Sequence, residues 1–197
     1  MTDIVLASTS AIRRTLLAGA GLTFTSVSPD VDEEAVKARR LAEGAGPREV
    51  AADLADIKAE TVSRAFDGLV IGADQTLDLD GALFDKVADV EAARERLARL
   101  RGRSHRLHAG VAVAEGGKVV WRELVTASLT MRAFSDAFLD TYLARNGEAA
   151  LSSVGCYHLE GEGVQLFDKV EGDYFSILGL PLLGLLDFFR ARGVLAA

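Results

Sequence analysis

The sequence predicts an α/β protein built on a long mixed sheet flanked by helices. Strand-like and helix-like segments alternate through the first half, whereas the second half carries hairpin signals, and together these exclude an all-parallel sheet. Of the 197 residues, 49% are apolar and 26% charged, which suits one ordered unit over 1–197 with a substantial core.

Ile4–Ala7 reads as a short buried strand. Ser8-Thr9-Ser10 then leads into a helix, with Ser10 as N-cap, Ile12 and Leu16 on one face, and Gly19 and Gly21 closing it. A strand, hydroxyls and a helix N-terminus bearing Arg13 and Arg14 make an anion cradle, although without the Gly-Lys-Ser/Thr of a Walker loop. Thr23–Val27 is a second strand. Past Pro29, Asp32, Glu33 and Glu34 stand together, either solvated or supplying an oxygen ligand to a metal. The glycines and proline of 41–47 read as a mobile loop, and Ala-rich 48–66 as an amphipathic helix with Lys58 in its middle.

The chain is organised around 68–80, GLVIGADQTLDLD. Leu69–Gly72 is the buried strand, and Asp74 and Gln75 follow at its exit. A carboxylate there is costly to bury unless a cation, a metal or a proton donor receives it. Open α/β sheets bind ligands at such strand ends. Asp80-Gly81 is a two-residue hairpin turn that brings Lys86 back alongside the strand carrying Asp74. Val90–Leu100 is a helix ended by Gly102, and 104–114 with 118–131 form a long hairpin about Gly116-Gly117. Ser135 caps a helix that stops at Asn146-Gly147, VQLFDKV at 164–170 is a strand, and Pro181 starts a closing helix that ends near Arg192.

Several classes are excluded. A net charge of −7 argues against general nucleic-acid binding, which needs a basic stripe. Cys156, the only cysteine, forms no internal disulfide, as suits a reducing cytosol. The N-terminus lacks signal-peptide character, and Phe175–Phe189 is too broken by Gly, Pro and Asp to span a bilayer; the expected location is cytoplasmic, off the membrane. His105, His108 and His158 are too few for a zinc cage. The first two face opposite sides of a strand and read as strand-surface or supporting residues.

LASTSAIRRTLL at 6–17, VDEE at 31–34, LADIKA at 54–59, IGADQTLDLDG at 71–81, LARLRGRSHRLHAGVAV at 97–113 and GCYHLEGEGVQLFDKVEGDYFSILGLPL at 155–182 follow one another in a familiar order. Over about residues 4–190 the chain resembles the Maf-type nucleotide pyrophosphatases, first described as septum-formation inhibitors. The resemblance implies two lobes with a central cleft around the twisted sheet, often a homodimer, and hydrolysis of a nucleoside triphosphate to monophosphate and pyrophosphate with a divalent metal, Mg²⁺ or Mn²⁺. It carries the catalytic carboxylate onto Asp74 and the charged cleft positions onto Glu33, Lys58 and Lys86, with Glu33 and Asp74 toward the metal. Ser8, Ser10 and Arg13 match the phosphate-side motif. Ala11, Val87 and Ala109 depart from it, standing where the family usually has proline, proline and threonine.

Ile12, Gln75 and Glu160 side with the branch associated with 7-methyl-GTP rather than the branch acting on dTTP and UTP. The chemistry agrees. A carboxylate such as Glu160 accepts hydrogen bonds from guanine N1–H and N2–H₂, and favours a methylated, cationic ring, while Ile12 offers apolar surface to a base. The rivals are a dTTP/UTP pyrophosphatase, a house-cleaning enzyme for deaminated purine nucleotides, and a nucleotide-binding regulator of division that does not turn over.

Overall fold

In the computed structural model, which describes residues 3–196, the apolar run Ile4–Ala7 forms a fully buried strand β1. Helix α1 (Ala11–Gly19) and the short strand β2 (Thr25–Val27) follow, then α2 (Glu33–Ala42) and α3 (Pro47–Ser63). Strand β3 (Leu69–Leu79) turns at Asp80 and Gly81, both at positive φ, into β4 (Ala82–Phe84). Beyond α4 (Val90–Leu100), the hairpin of β5 (Ser104–Glu115) and β6 (Lys118–Met131) leads to α5 (Asp136–Ala150), β7 (Phe167–Glu171), α6 (Tyr174–Ile177) and α7 (Leu182–Ala191).

The strands make one mixed sheet in the order β2-β1-β3-β5-β6-β7, with β4 also on β3. β1 runs parallel to β2 and β3, and the other pairings are antiparallel. The expected α/β class therefore holds.

Alternate residues of β3 show how the two lobes arise. On one face, Leu69, Ile71 and Ala73 join a core with Leu6, Leu17, Val111, Leu185 and Phe189. Further along that face, Leu77 and Leu79 join a second core with Leu97, Leu107, Leu129, Met131 and Leu139. Gln75 lies between them and interrupts the apolar series.

The opposite face carries α3 at unusually short range. A Cβ on Gly72 would overlap the Ala55 carbonyl oxygen and lie 2.5 Å from the Ala59 nitrogen, and one on Gly110 would lie 2.7 Å from the Ala51 carbonyl oxygen. Glycine on the strands and alanine on the helix let the two backbones approach this closely. Thr76 Oγ1 donates to the Pro47 carbonyl at 2.8 Å and ties the start of α3 to the same strand.

Some expectations are corrected. β3 does not end at Gly72 but continues to Leu79, so Asp74 is mid-strand; what ends opposite Gly72 is its neighbour β1. The acidic stretch after Pro29 opens helix α2, which takes up residues to Ala42 and shortens the expected loop at 41–47. Asn146-Gly147 does not stop α5, because Gly147 sits against Val90 of α4 and packing there overrides the weak helix formers. Glu162–Leu166 is a 3-10 turn, so β7 starts only at Phe167. His105 and His108 do face opposite sides, but both are buried: His105 Nε2 meets the Tyr157 hydroxyl at 2.7 Å, and His108 lies between Thr126 Oγ1 at 2.9 Å and Asp78 at 3.3 Å.

Candidate active site

β1 pairs with β3 as far as Ala7 opposite Gly72, and β4 resumes on the same edge at Phe84 opposite Leu77. Between these points Ala73–Thr76 have no strand neighbour on that side among the described residues. The break in the sheet gives onto a cleft of about 950 Å³, at the upper end of the roughly 300–1,000 Å³ usual for ligand pockets. Ser8, Ser10, Ile12, Arg13, Glu33, Lys58, Asp74, Gln75, Lys86 and Glu160 all line it, whereas Arg14 and Asp32 do not.

The buried floor is Asp74 with Lys58. The close packing of α3 on Gly72 delivers Lys58 Nζ to 2.7 Å from Asp74 Oδ1, and the same ammonium lies 2.8 Å from Glu33 Oε1 on α2. Lys58, mid-helix and 5% exposed, is therefore the link of a carboxylate–ammonium–carboxylate chain and no solvated lysine.

Burial pushes the Asp74 carboxyl above its ordinary value, against the opposing pull of Lys58 and Arg13, and Glu33 adds to the rise. Glu33 goes the other way. Burial would raise it, but the hydrogen bond and charge of Lys58, with Lys37 and Arg13, hold it below the usual range. One carboxylate is thus made more basic while its neighbour stays ionised, a division suited to acid–base work.

Arg13 is used differently from expectation. Its Nε donates to the Gly179 carbonyl at 2.9 Å, and its Nη1 to the Ala73 carbonyl at 2.8 Å and to Ser8 Oγ at 3.4 Å. Two of its nitrogens are thus committed to the protein, and it holds the peptide before Asp74 rather than presenting a free guanidinium fork. Gln75 does likewise, its Nε2 donating to the Ser176 and Ile177 carbonyls at 3.0 and 2.9 Å.

At the other wall, Ser10 is the N-cap residue of α1 but makes no side-chain cap bond, and Ser8 Oγ accepts from the Ser10 N–H at 3.2 Å. The first-turn N–H groups of α1 are left without a side-chain cap at the cleft, a favourable place for an anion. Lys86 is exposed on the cleft wall. Glu160 is exposed on the segment with His158, whose Nε2 meets Ser152 Oγ at 3.0 Å.

Lys58 engages one oxygen each of Glu33 and Asp74, leaving Oε2 and Oδ2. Among the described residues no group of three or more His, Cys, Asp and Glu gathers as a metal cage. Two carboxylates suit a hard divalent ion that takes its remaining oxygens from phosphates and water, so these residues fit such an ion bound together with a substrate.

The sequence reading missed Lys37 and Arg96. Lys37 lines the cleft and bonds Glu34 at 2.8 Å and also Asp85. Arg96 Nη1 donates to the Asp85 and Val154 carbonyls, both at 2.7 Å, with its guanidinium 4.5 Å from the Phe84 ring centroid. Spacing along the chain gives no sign of their links to the rest of the molecule, since Asp85 for Lys37 and Val154 for Arg96 come from distant segments.

Fold and cleft place the chain among two-lobed α/β proteins that open a ligand site between their lobes. Within them it belongs to the Maf-like protein family, whose model matches residues 3–192. It is 57% identical to a nucleoside triphosphate pyrophosphatase of Caulobacter vibrioides, over 99% of this chain and 98% of the relative. It is 48% identical to a 7-methyl-GTP pyrophosphatase of Rhizobium meliloti, over 98% of each. Among solved structures, a HAM1 protein from Coxiella burnetii superposes on 68% of this chain and 75% of its own, with a TM-score of 0.47 and 20% identity.

Proposed function

We propose that this Maf-family enzyme hydrolyses a nucleoside triphosphate to the monophosphate and pyrophosphate, and that its substrate is a guanine-type nucleotide, 7-methyl-GTP foremost. The observation that carries the reading is Lys58 bridging Asp74 and Glu33 at the bottom of a cleft with an uncapped helix N-terminus on its wall. The names of the relatives from Caulobacter vibrioides and Rhizobium meliloti support it.

In the reaction, a water oxygen bonds to the α-phosphorus, its proton passes to Asp74, and the bridging P–O electron pair leaves with pyrophosphate. Burial makes Asp74 the better proton acceptor of the two carboxylates. Lys58 orients Asp74 and offsets negative charge building on the phosphorus oxygens. Ser8, Ser10 and the start of α1 receive the phosphates, and exposed Lys86 meets the leaving pyrophosphate. Arg13 keeps the Ala73 carbonyl, and with it Asp74, in place. Glu33 and Asp74 would hold Mg²⁺ or Mn²⁺ jointly with the phosphates, and such an ion supplies neutralisation of the triphosphate charge. Glu160 and Ile12 face the base, where a carboxylate matches the N1–H and N2–H₂ edge of guanine and is repelled by the carbonyls beside N3–H of uracil and thymine.

The experiment is a pyrophosphate-release screen with Mg²⁺ or Mn²⁺ over standard, 7-methylated and deaminated triphosphates. The highest kcat/KM is expected on 7-methyl-GTP. Equal or faster turnover of UTP and dTTP overturns the base assignment, and tight binding with no pyrophosphate released overturns the activity.

A further inference from the structure

Helix α2 brings Glu33 into the cleft, yet none of its residues is buried. Surface helices ordinarily dock through an apolar stripe. This one offers Val36, half-buried, and Leu41, exposed. Ion pairs hold it instead: Glu33 to Lys58 at 2.8 Å, Arg40 to Asp53 at 2.6 Å, and Lys37 to Asp85.

The third pair differs from the others in what it reaches. The Lys37 side chain is only 11% exposed, and although burial works against its charge, hydrogen bonds to Asp85 and Glu34 more than reverse this and raise its pKa. Asp85 directly precedes Lys86, and its carbonyl accepts from Arg96, which also holds the Val154 carbonyl on the segment leading to Glu160. One run of contacts therefore leads from α2 through Asp85 to both the Lys86 arm and the wall that bears Glu160.

We infer that Lys37 is a positioning residue: by its ion pair with Asp85 it fixes the separation across the cleft between Glu33 on α2 and Lys86 on the opposite arm. This rests on reading the cleft as a triphosphate site. Losing the pair removes no buried apolar contact, so the lobes persist while the two charged walls lose their relative registration. Because Lys86 meets the leaving group, the loss falls on kcat more than on KM.

The test compares Lys37→Met, Lys37→Arg, Asp85→Asn and the double variant Lys37→Met/Asp85→Asn, by steady-state kinetics and by hydrogen exchange over residues 33–42. Lys37→Met is expected to lower kcat about tenfold with KM within about threefold, since misplacement by a fraction of an ångström is felt in turnover. Lys37→Arg keeps most of the rate, because a guanidinium spans the same two carboxylates. Asp85→Asn matches Lys37→Met, and the double variant loses no more than either single. Exchange in α2 quickens while β3 stays protected. Wild-type kcat in Lys37→Met, additive losses in the double variant, or no rescue by arginine overturns the inference. Should the wild type release pyrophosphate from no nucleotide, the triphosphate reading fails by itself. The exchange comparison then decides on its own: faster exchange in α2 of Lys37→Met supports the ion pair, and unchanged exchange overturns it.

Discussion

Lys58 and Asp74 sit where α3 touches β3 through Gly72, Ala55 and Ala59, with no room for another methyl group and little access for water. At the rim, α2 meets the body through partly exposed ion pairs and buries no residue, and Lys86 projects from a short arm between β4 and α4. The two regions meet in the same charged site, where Glu33 reaches Lys58. The first is fixed by close packing, which salt does not screen. The second is fixed by charge, which falls off with screening and costs little to rearrange. A rigid carboxylate–ammonium pair is thus bordered by a rim held through charge.

The largest test of this contrast removes the basic carboxylate without touching the packing. Asp74→Asn is expected to cost at least ~100-fold in turnover, the low end for a general base, with the melting temperature not lowered. Near-wild-type turnover would take Asp74 out of the mechanism. Next, Gly72→Ala leaves all charges in place but drives a methyl group into the α3 backbone. A stability loss of about 1–3 kcal/mol in denaturant titration is expected, with turnover falling as Lys58 is displaced from Asp74. The rim has no equivalent site among the described residues, since no residue of α2 is buried.

Acid sharpens the comparison. His105, buried beside Tyr157 and Phe167, is pushed down to about 4, so the folded protein refuses a proton that the unfolded chain accepts below 6.5. Its contribution to stability is full above pH 6.5 and is lost as pH falls toward about 4, by on the order of 3 kcal/mol, while Glu33, held below its ordinary range, stays paired with Lys58. Denaturation midpoints between pH 7 and 4 should show this fall in the wild type and a shallower one in His105→Gln. The smallest effect is that of salt. Near 1 M, where screening acts within about 3 Å, hydrogen exchange in α2 should quicken and that in β3 should not. Equal responses in the two elements would erase the distinction.

The packed region was the more legible in sequence. Apolar runs, the Asp80-Gly81 and Gly116-Gly117 turns and the Val90–Leu100 helix fall as read, because local turn chemistry and periodicity decide them. Glu33, Lys58, Asp74 and Lys86 do line one cavity. The length of β3 was misread because Asp74, Thr76 and Asp78 look like strand-end polarity, whereas they face α3 and its surroundings, where Lys58, the Pro47 carbonyl and His108 receive them. Helix α2 escaped notice because it has no apolar stripe. Its signals were Asp32 as N-cap, Glu33 and Glu34 in the first turn and Arg39 and Arg40 in the last, on good helix formers between. The commitment of Arg13 to the Ala73 and Gly179 carbonyls joins residues far apart in the chain, beyond what spacing can reveal.

The bare edge of β3 has a consequence for the molecule in a crowded solution. An uncovered strand ordinarily templates the addition of a strand from another chain and so invites aggregation. Here the uncovered stretch is only Ala73–Thr76, shorter than the typical strand of about five residues, and β1 and β4 stand at either end of it. The Arg13 guanidinium stoppers the Ala73 carbonyl that an incoming strand would need. The protein can therefore keep an opening in the middle of its sheet without offering that edge as a template for a strand from another chain.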